Sequence, residues 1–226
     1  MGKLSIVATP IGNMGDITFR ALWNLKECTV IYAEDTREIL KLLNHYGLRK
    51  SVFRLDAATE GKKAAEIVGR LERGEHVAYV TDAGTPGISD PGARLVAHVR
   101  EKLPEAKIEA IPGPSALTAA LSIAGISTDQ FIFLGFLPHK KGRQTAIKRI
   151  VNSEQPTVLY ESPHRILKLL AELEKVAPTS RITIARELTK MYEEVLVGSP
   201  AELLSLLKAG KKDRGEFVVI VEPSRS

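Results

Sequence analysis

Two kinds of residue cluster in this chain have the composition to do chemistry: rigid loops of Gly, Pro and hydroxyl residues, and short runs of mixed charge. The fullest loop is Thr81-Asp82-Ala83-Gly84-Thr85-Pro86-Gly87-Ile88-Ser89-Asp90-Pro91-Gly92. It holds three glycines, two prolines, two aspartates and three hydroxyls, so it cannot be regular structure. It is also too long for a routine α/β connection of about 2–6 residues. Loops of this kind bring backbone N–H and C=O groups close to a ligand. A second loop, Ala8-Thr9-Pro10-Ile11-Gly12-Asn13-Met14-Gly15-Asp16, follows the first apolar run. It lacks G-x-G-x-x-G, and Pro10 removes one N–H from any anion cradle. No G-x-x-x-x-G-K-[ST] occurs either, so pyrophosphate cofactors are disfavoured. A third is Ile111-Pro112-Gly113-Pro114-Ser115.

The mixed-charge runs are Glu34-Asp35-Thr36-Arg37, Glu161-Ser162-Pro163-His164-Arg165 and Arg186-Glu187-Leu188-Thr189-Lys190 with Glu193 and Glu194. Each follows an apolar, strand-like segment. Singly, each reads as an ion pair closing a strand end; together they favour a polar cleft. A basic stretch, Phe136 to Arg149, holds Lys140, Lys141, Arg143, Lys148 and Arg149 and no acid. Charge runs are usually solvated faces, but so concentrated an excess favours phosphate contact. A smaller patch joins Lys208, Lys211, Lys212 and Arg214. His139 reads as a surface residue.

Positioning these groups requires alternating strands and helices. Segments 5–8, 29–33, 77–80 and 108–111 are Val/Ile-rich and apolar on both faces, as buried parallel strands are. Helices are expected near 16–27, 36–46, 60–73 and 90–102. Asp16 and Asp35 or Thr36 serve as expected N-caps, Gly47 and Gly74 as stops. After Pro112-Gly113-Pro114 the pattern changes. A helix near 115–124 precedes strands at 130–135, 157–161, 181–186, 192–197 and 216–222, whose close spacing predicts a mixed sheet. The expected organisation is two α/β domains, 1–112 with a mostly parallel sheet and 113–226 with a mixed one. Ligands of such sheets bind beyond the carboxyl ends of the strands.

Composition narrows the function further. The 226 residues carry a net charge of +5, with 44% hydrophobic and 26% charged residues, as in ordinary globular proteins. Cys28 is the one cysteine and the five histidines are scattered, so no metal is expected. No apolar run reaches the ~18–20 residues of a membrane span, and the N-terminus has no leader pattern. A cytoplasmic location is expected.

The motifs Val7-Ala8-Thr9-Pro10-Ile11-Gly12-Asn13 with Asp16-Ile17-Thr18, Ala33-Glu34-Asp35-Thr36-Arg37, Asp82 to Gly92, Ile111 to Ala116, Gly135-Phe136-Leu137-Pro138, Tyr160 to Arg165 and Arg186 to Lys190 occur in one order. In that order the chain resembles the bacterial small-subunit (16S) ribosomal RNA cytidine 2′-O-methyltransferases, within the tetrapyrrole methylase superfamily. The resemblance implies two α/β domains with S-adenosylmethionine in the cleft between them. It implies small-subunit rRNA, or the 30S subunit, as substrate, and a homodimer. Cofactor contacts of that family fall on Thr9 and Pro10, on Gly84, Thr85, Pro86, Gly87 and Ile88, on Pro114, Ser115 and Ala116, and on Tyr160 and Leu188. Thr85 departs from the Asp common in relatives acting on tetrapyrroles. The sequence also stops short of the C-terminal extension of many rRNA-methylating relatives.

Methyl transfer to a ribose hydroxyl needs alignment, exclusion of water and a proton acceptor. Glu161 and a neutral Lys190 are the expected acceptors, with His164 a lesser one. Arg165 or Arg37 would hold a neighbouring phosphate. RNA contacts are expected at Arg37, Lys140, Lys141, Arg143, Lys148 and Arg149. The competing readings are a precorrin-type tetrapyrrole methyltransferase, a non-catalytic RNA-binding assembly protein and, last, a nicotinamide oxidoreductase.

Overall fold

The computed structural model describes residues 1–223. They form two compact units, Met1–Ser115 and the described residues from Ala116 onward. No helix among the described residues is long and apolar enough to cross a membrane.

In unit 1 the strands are β1 (Lys3–Val7), β2 (Val30–Ala33), β3 (Val52–Arg54), β4 (His76–Val80) and β5 (Lys107–Ile111). The helices are α1 (Phe19–Glu27), α2 (Thr36–His45), α3 (Glu60–Glu72) and α4 (Ala93–Lys102). The sheet runs β3-β2-β4-β1-β5 with every neighbouring pair parallel. Side chains alternate across it. Leu4, Tyr32, Val77 and Tyr79 pack with Ile67 and Leu71 of α3 and Leu95 and Val99 of α4. Val7, Ile31, Ala33, Ala78 and Val80 face Leu25 of α1 and Leu42 and Leu43 of α2. Burial on both faces is why these strands read as continuous apolar runs. It also leaves the loops at the carboxyl ends as the place for polar groups.

Three local expectations need correction. Asp16 does not cap α1. It lies in a 3-10 turn, Met14–Asp16, after which Ile17 is extended; the Thr18 hydroxyl accepts the Ala21 N–H instead. Helix α4 starts at Ala93 rather than near 90, because Asp90-Pro91-Gly92 belongs to the loop and Gly92 has φ +126°. Strand β3 was not expected, since three residues at a sheet edge are too short for a periodic signal. Asp35 does cap α2, its carboxylate accepting the Arg37 N–H, and Gly47 and Gly74 take positive φ just past α2 and α3.

Unit 2 contains α5 (Ala116–Ile123), β6 (Ile132–Phe136), α6 (Arg143–Val151), β7 (Thr157–Glu161), α7 (Ile166–Val176), β8 (Ile182–Arg186), β9 (Glu194–Gly198), α8 (Pro200–Ala209) and β10 (Phe217–Val221). The sheet order is β6-β7-β10-β8-β9, parallel between β6 and β7 and antiparallel elsewhere. Its core joins Leu159, Ile184, Phe217 and Val219 to Ile147 and Ile150 of α6, Leu169 and Leu173 of α7 and Leu203 and Leu207 of α8. Helix α8 opens with a capping box, Ser199 with Glu202, and Pro200 at its first position. Helix α6 lies inside the basic stretch, where exposed charge hid its Ile147 and Ile150 stripe.

Helix α4 has no side-chain cap of its own. The buried Glu60 carboxylate on α3 fills that role, accepting the N–H groups of Gly92 (3.1 Å) and Leu95 (2.9 Å). Hydrogen bonds to a charged group contribute about 1.5–3 kcal/mol. Glu60→Ala should therefore lower the urea midpoint by a loss of about 2 kcal/mol; an unchanged midpoint would contradict this assignment.

Candidate functional site

In unit 1 three loops at the carboxyl ends of β1, β4 and β5 are sewn together by backbone. Thr9 and Gly84 exchange both hydrogen bonds, Thr9 N–H to Gly84 O at 2.9 Å and Gly84 N–H to Thr9 O at 3.0 Å. The Thr85 hydroxyl donates to Pro114 O at 3.2 Å, and the Ala8 N–H donates to Ile111 O. Gly84 has φ +77°, and a Cβ there would lie 3.3 Å from Ile11 Cγ2 and 3.7 Å from Pro114 O. Thr9, Gly84, Thr85 and Pro114 are thus brought together, with Pro10 beside them. Gly87 has φ +85° and its N–H donates to Pro91 O. Ile88 is exposed and Pro86 is buried.

The same edge collects carboxylates. Glu34 follows β2, and Asp82 and Asp90 follow β4, its parallel neighbour. The Asp35 N–H donates to Asp82 Oδ1 at 2.9 Å, tying the two loops. Partial burial raises the pKa of Glu34, and the charges of Asp82 and Asp90 add to it. Burial raises Asp82, against the hydrogen bond from the Asp35 N–H, which lowers it. Burial also pushes Asp90 up to about 6, helped by Asp82. Tyr79 lies beneath this loop, its ring 2.8 Å from where a Cβ on Gly92 would sit. Its hydroxyl is buried without a hydrogen-bond partner, and burial followed by the charges of Glu34 and Glu60 drives its pKa upward. The sequence supplied these acids as one more strand-end cluster; only the strand order β2-β4 shows that Glu34, Asp82 and Asp90 meet.

In unit 2, Tyr160 is half-buried on β7 against Phe133 and Phe136, ring centroids 5.0 and 5.6 Å away. Leu188 is buried between Glu187 and Thr189, both at positive φ (+52° and +65°). The expected proton acceptors are placed otherwise than their spacing suggested. The Glu161 side chain is 0% exposed, its Oε1 2.7 Å from Arg165 Nε and its Oε2 3.7 Å from Arg143 Nη1. Arg143 is buried as well and reaches Glu172 at 2.8 Å. Arg165 donates to Leu137 O. Glu161 therefore holds two arginines in place and has no open face for a substrate proton. Arg143 points inward and is removed from the RNA contacts. Lys190 Nζ lies 3.0 Å from both Glu187 Oε1 and Glu216 Oε2. Partial burial pulls its pKa down, but Glu216 and Glu187 outweigh this and the net shift is upward, so Lys190 is a cation rather than a neutral base.

Lys140, Lys141, Lys148 and Arg149 are exposed and, among the described residues, paired with no carboxylate. Arg37 is 83% exposed and forks onto Asp35, whose carboxyl it holds down to about 2 through its side-chain hydrogen bonds. No group of His, Cys, Asp and Glu among the described residues is arranged to hold a metal.

A sequence profile of the tetrapyrrole (corrin/porphyrin) methylases matches residues 3–204. The chain is 42% identical over 226 residues to a protein of Neisseria meningitidis serogroup B named ribosomal RNA small subunit methyltransferase I, covering 99% of this chain and 77% of the relative. It is 41% identical over 222 residues to the Thermotoga maritima protein of the same name, covering 98% of each. Among solved structures, the methyltransferase CobJ superposes with a TM-score of 0.72 at 20% identity, covering 99% of this chain and 95% of that one.

Removing one partner from a buried ion cluster leaves an uncompensated charge, at a cost of about 3–5 kcal/mol. Arg143→Ala should lose stability on that scale in denaturant unfolding, since Glu161 and Glu172 would lose their shared partner. A loss near zero would show that Arg143 is a surface cation after all.

Proposed function

The chain belongs to the tetrapyrrole (corrin/porphyrin) methylase family, and on that premise we propose that it methylates the ribose 2′-hydroxyl of a cytidine in small-subunit ribosomal RNA, using S-adenosylmethionine. The relatives named for rRNA methylation are 41–44% identical along nearly the whole chain. A solved uroporphyrin-III-C-methyltransferase from Thermus thermophilus, by contrast, shares the fold at 18% identity with a TM-score of 0.65. That contrast favours RNA over a tetrapyrrole as substrate.

The observation that carries the reading is the sewn set of loops in unit 1, rich in backbone groups and bordered by carboxylates. S-adenosylmethionine, when bound, supplies an electrophilic methyl group on a positively charged sulfur. The residues fit that chemistry. Thr9, Pro10, Gly84, Thr85, Gly87, Ile88 and Pro114 present backbone and apolar atoms, and residues 81–92 contain no Lys or Arg to repel a cation. Pro86 frames the loop from its buried position. Preorganised main-chain dipoles stabilise charge without reorganising.

Asp90 is the proposed acceptor of the hydroxyl proton, in place of Glu161. Its raised pKa suits a general base working near neutrality. Burial and the charge of Asp82 keep it there, and the proton passes on to solvent. Arg165 and Lys190, both tied to carboxylates, act by holding their loops. Arg37, Lys140, Lys141, Lys148 and Arg149 are the proposed phosphate contacts. Phe19, 93% exposed, and Trp23 on α1 are apolar surface that a second copy would cover, which supports a homodimer.

Two outcomes test this. Gly84→Ala puts a Cβ against Ile11 at a φ that L-residues avoid, and should weaken S-adenosylhomocysteine binding about tenfold or more by titration calorimetry. An unchanged affinity would contradict the cradle. Single-turnover methylation of undermethylated small subunits should rise with pH through about 6 and then level off, because the base must be ionised. Asp90→Asn should cut the plateau by more than tenfold. A wild-type plateau in that variant would remove Asp90 from the chemistry.

A further inference from the structure

Between the end of β6 and the start of α6 lies an open cavity of about 350 Å³, walled by Leu134, Phe136, Pro138, Gly142, Thr145 and Arg149. That volume falls in the ~300–1,000 Å³ range of small-ligand pockets. Its walls are mostly apolar. Phe136 is 54% exposed yet held, edge-on to Tyr160 and under the Arg165 guanidinium at 6.0 Å. A fixed, solvent-facing aromatic ring is a stacking platform.

Arg149 lines the cavity, so one of its walls carries a cation. With Arg143 turned inward, the segment 136–149 presents Lys140, Lys141, Lys148 and Arg149 to solvent, and no acid occurs in it. The first turn of α6 adds to this, because Gly142 at its N-cap offers no side chain to cover the helix N–H groups. An apolar small molecule has no use for an arginine in the wall and three exposed lysines on the same segment. A bare phosphate has no use for an aromatic wall. A nucleotide in a single strand uses both, its base stacking while its phosphates meet the cations.

We propose that this cavity of unit 2 takes an unpaired nucleobase of the RNA substrate, stacked on Phe136, with Arg149, Lys140 and Lys141 holding the adjoining phosphates. The proposal rests on the rRNA-methyltransferase reading. Phe136 is then a binding residue that makes the enzyme prefer an opened strand to a duplex.

The test is fluorescence anisotropy of the full chain with a fluorescein-labelled, mixed-sequence, single-stranded RNA 12-mer and its duplex. Phe136→Ala should weaken the single strand about tenfold and the duplex hardly at all, and Phe136→Trp should restore it. Arg149→Ala should weaken binding and flatten its log-salt slope by about 0.7 for each phosphate no longer neutralised. The melting temperature of Arg149→Ala, and its affinity for S-adenosylhomocysteine, should stay near wild type, as expected at an exposed position. The proposal is overturned if Phe136→Ala binds the single strand like wild type, or weakens the duplex equally. It is also overturned if the variant loses S-adenosylhomocysteine affinity instead, or if an acidic peptide competes as well as RNA. If the wild type binds the strand but methylates no small subunit, the rRNA reading fails and the pocket stands. If it methylates and Phe136→Ala leaves the KM for subunits unchanged, the pocket fails alone.

Discussion

Two backbone hydrogen bonds between Thr9 and Gly84 fix most of what unit 1 offers a ligand. They join the end of β1 to the loop after β4, and Thr85 carries the connection on to Pro114. The arrangement needs a residue at Gly84 that tolerates φ +77° with little room for a Cβ. Once those loops are fixed, the next strand along, β2, brings Glu34 beside Asp82 and Asp90. The acids are thus a consequence of the same parallel order that places the backbone cradle.

Unit 2 uses its charges differently. Glu161, Arg143, Arg165 and Glu172 pair their charges in the interior, where β7 ends and α7 and α6 begin. Glu187 does similar work near Leu188, accepting from the Glu216 N–H and from Lys190. Among the charges left over are Lys140, Lys141, Lys148 and Arg149, which lie on the surface. Burial thus separates the groups that build the unit from those that can meet a polyanion.

Much of the architecture was legible from the residues alone, because strands buried on both faces leave continuous Val/Ile runs and Gly/Pro loops punctuate them. The mixed character of the second sheet followed from strands too close together for crossover helices. What escaped has physical reasons. Edge strand β3 is three residues long. Helix α6 buries only Arg143, Ile147 and Ile150 among charges, so its stripe is masked. The candidate site was readable as a set of loops but not as a set of roles. Glu161 and Asp90 both follow apolar strands, and a linear sequence cannot say that one is sealed by two arginines while the other stands with two carboxylates. That distinction depends on strand order and on residues far apart along the chain, such as Arg143 for Glu161 and Glu34 for Asp90.

The central claim is that the loops at 9–13, 82–88 and 113–115 form one backbone cradle for S-adenosylmethionine. Hydrogen–deuterium exchange with and without saturating S-adenosylhomocysteine tests it most directly. The account predicts slowed exchange in those three segments together, with little change in residues 140–149. Unaltered exchange in all three, or protection found only elsewhere in the chain, would contradict it.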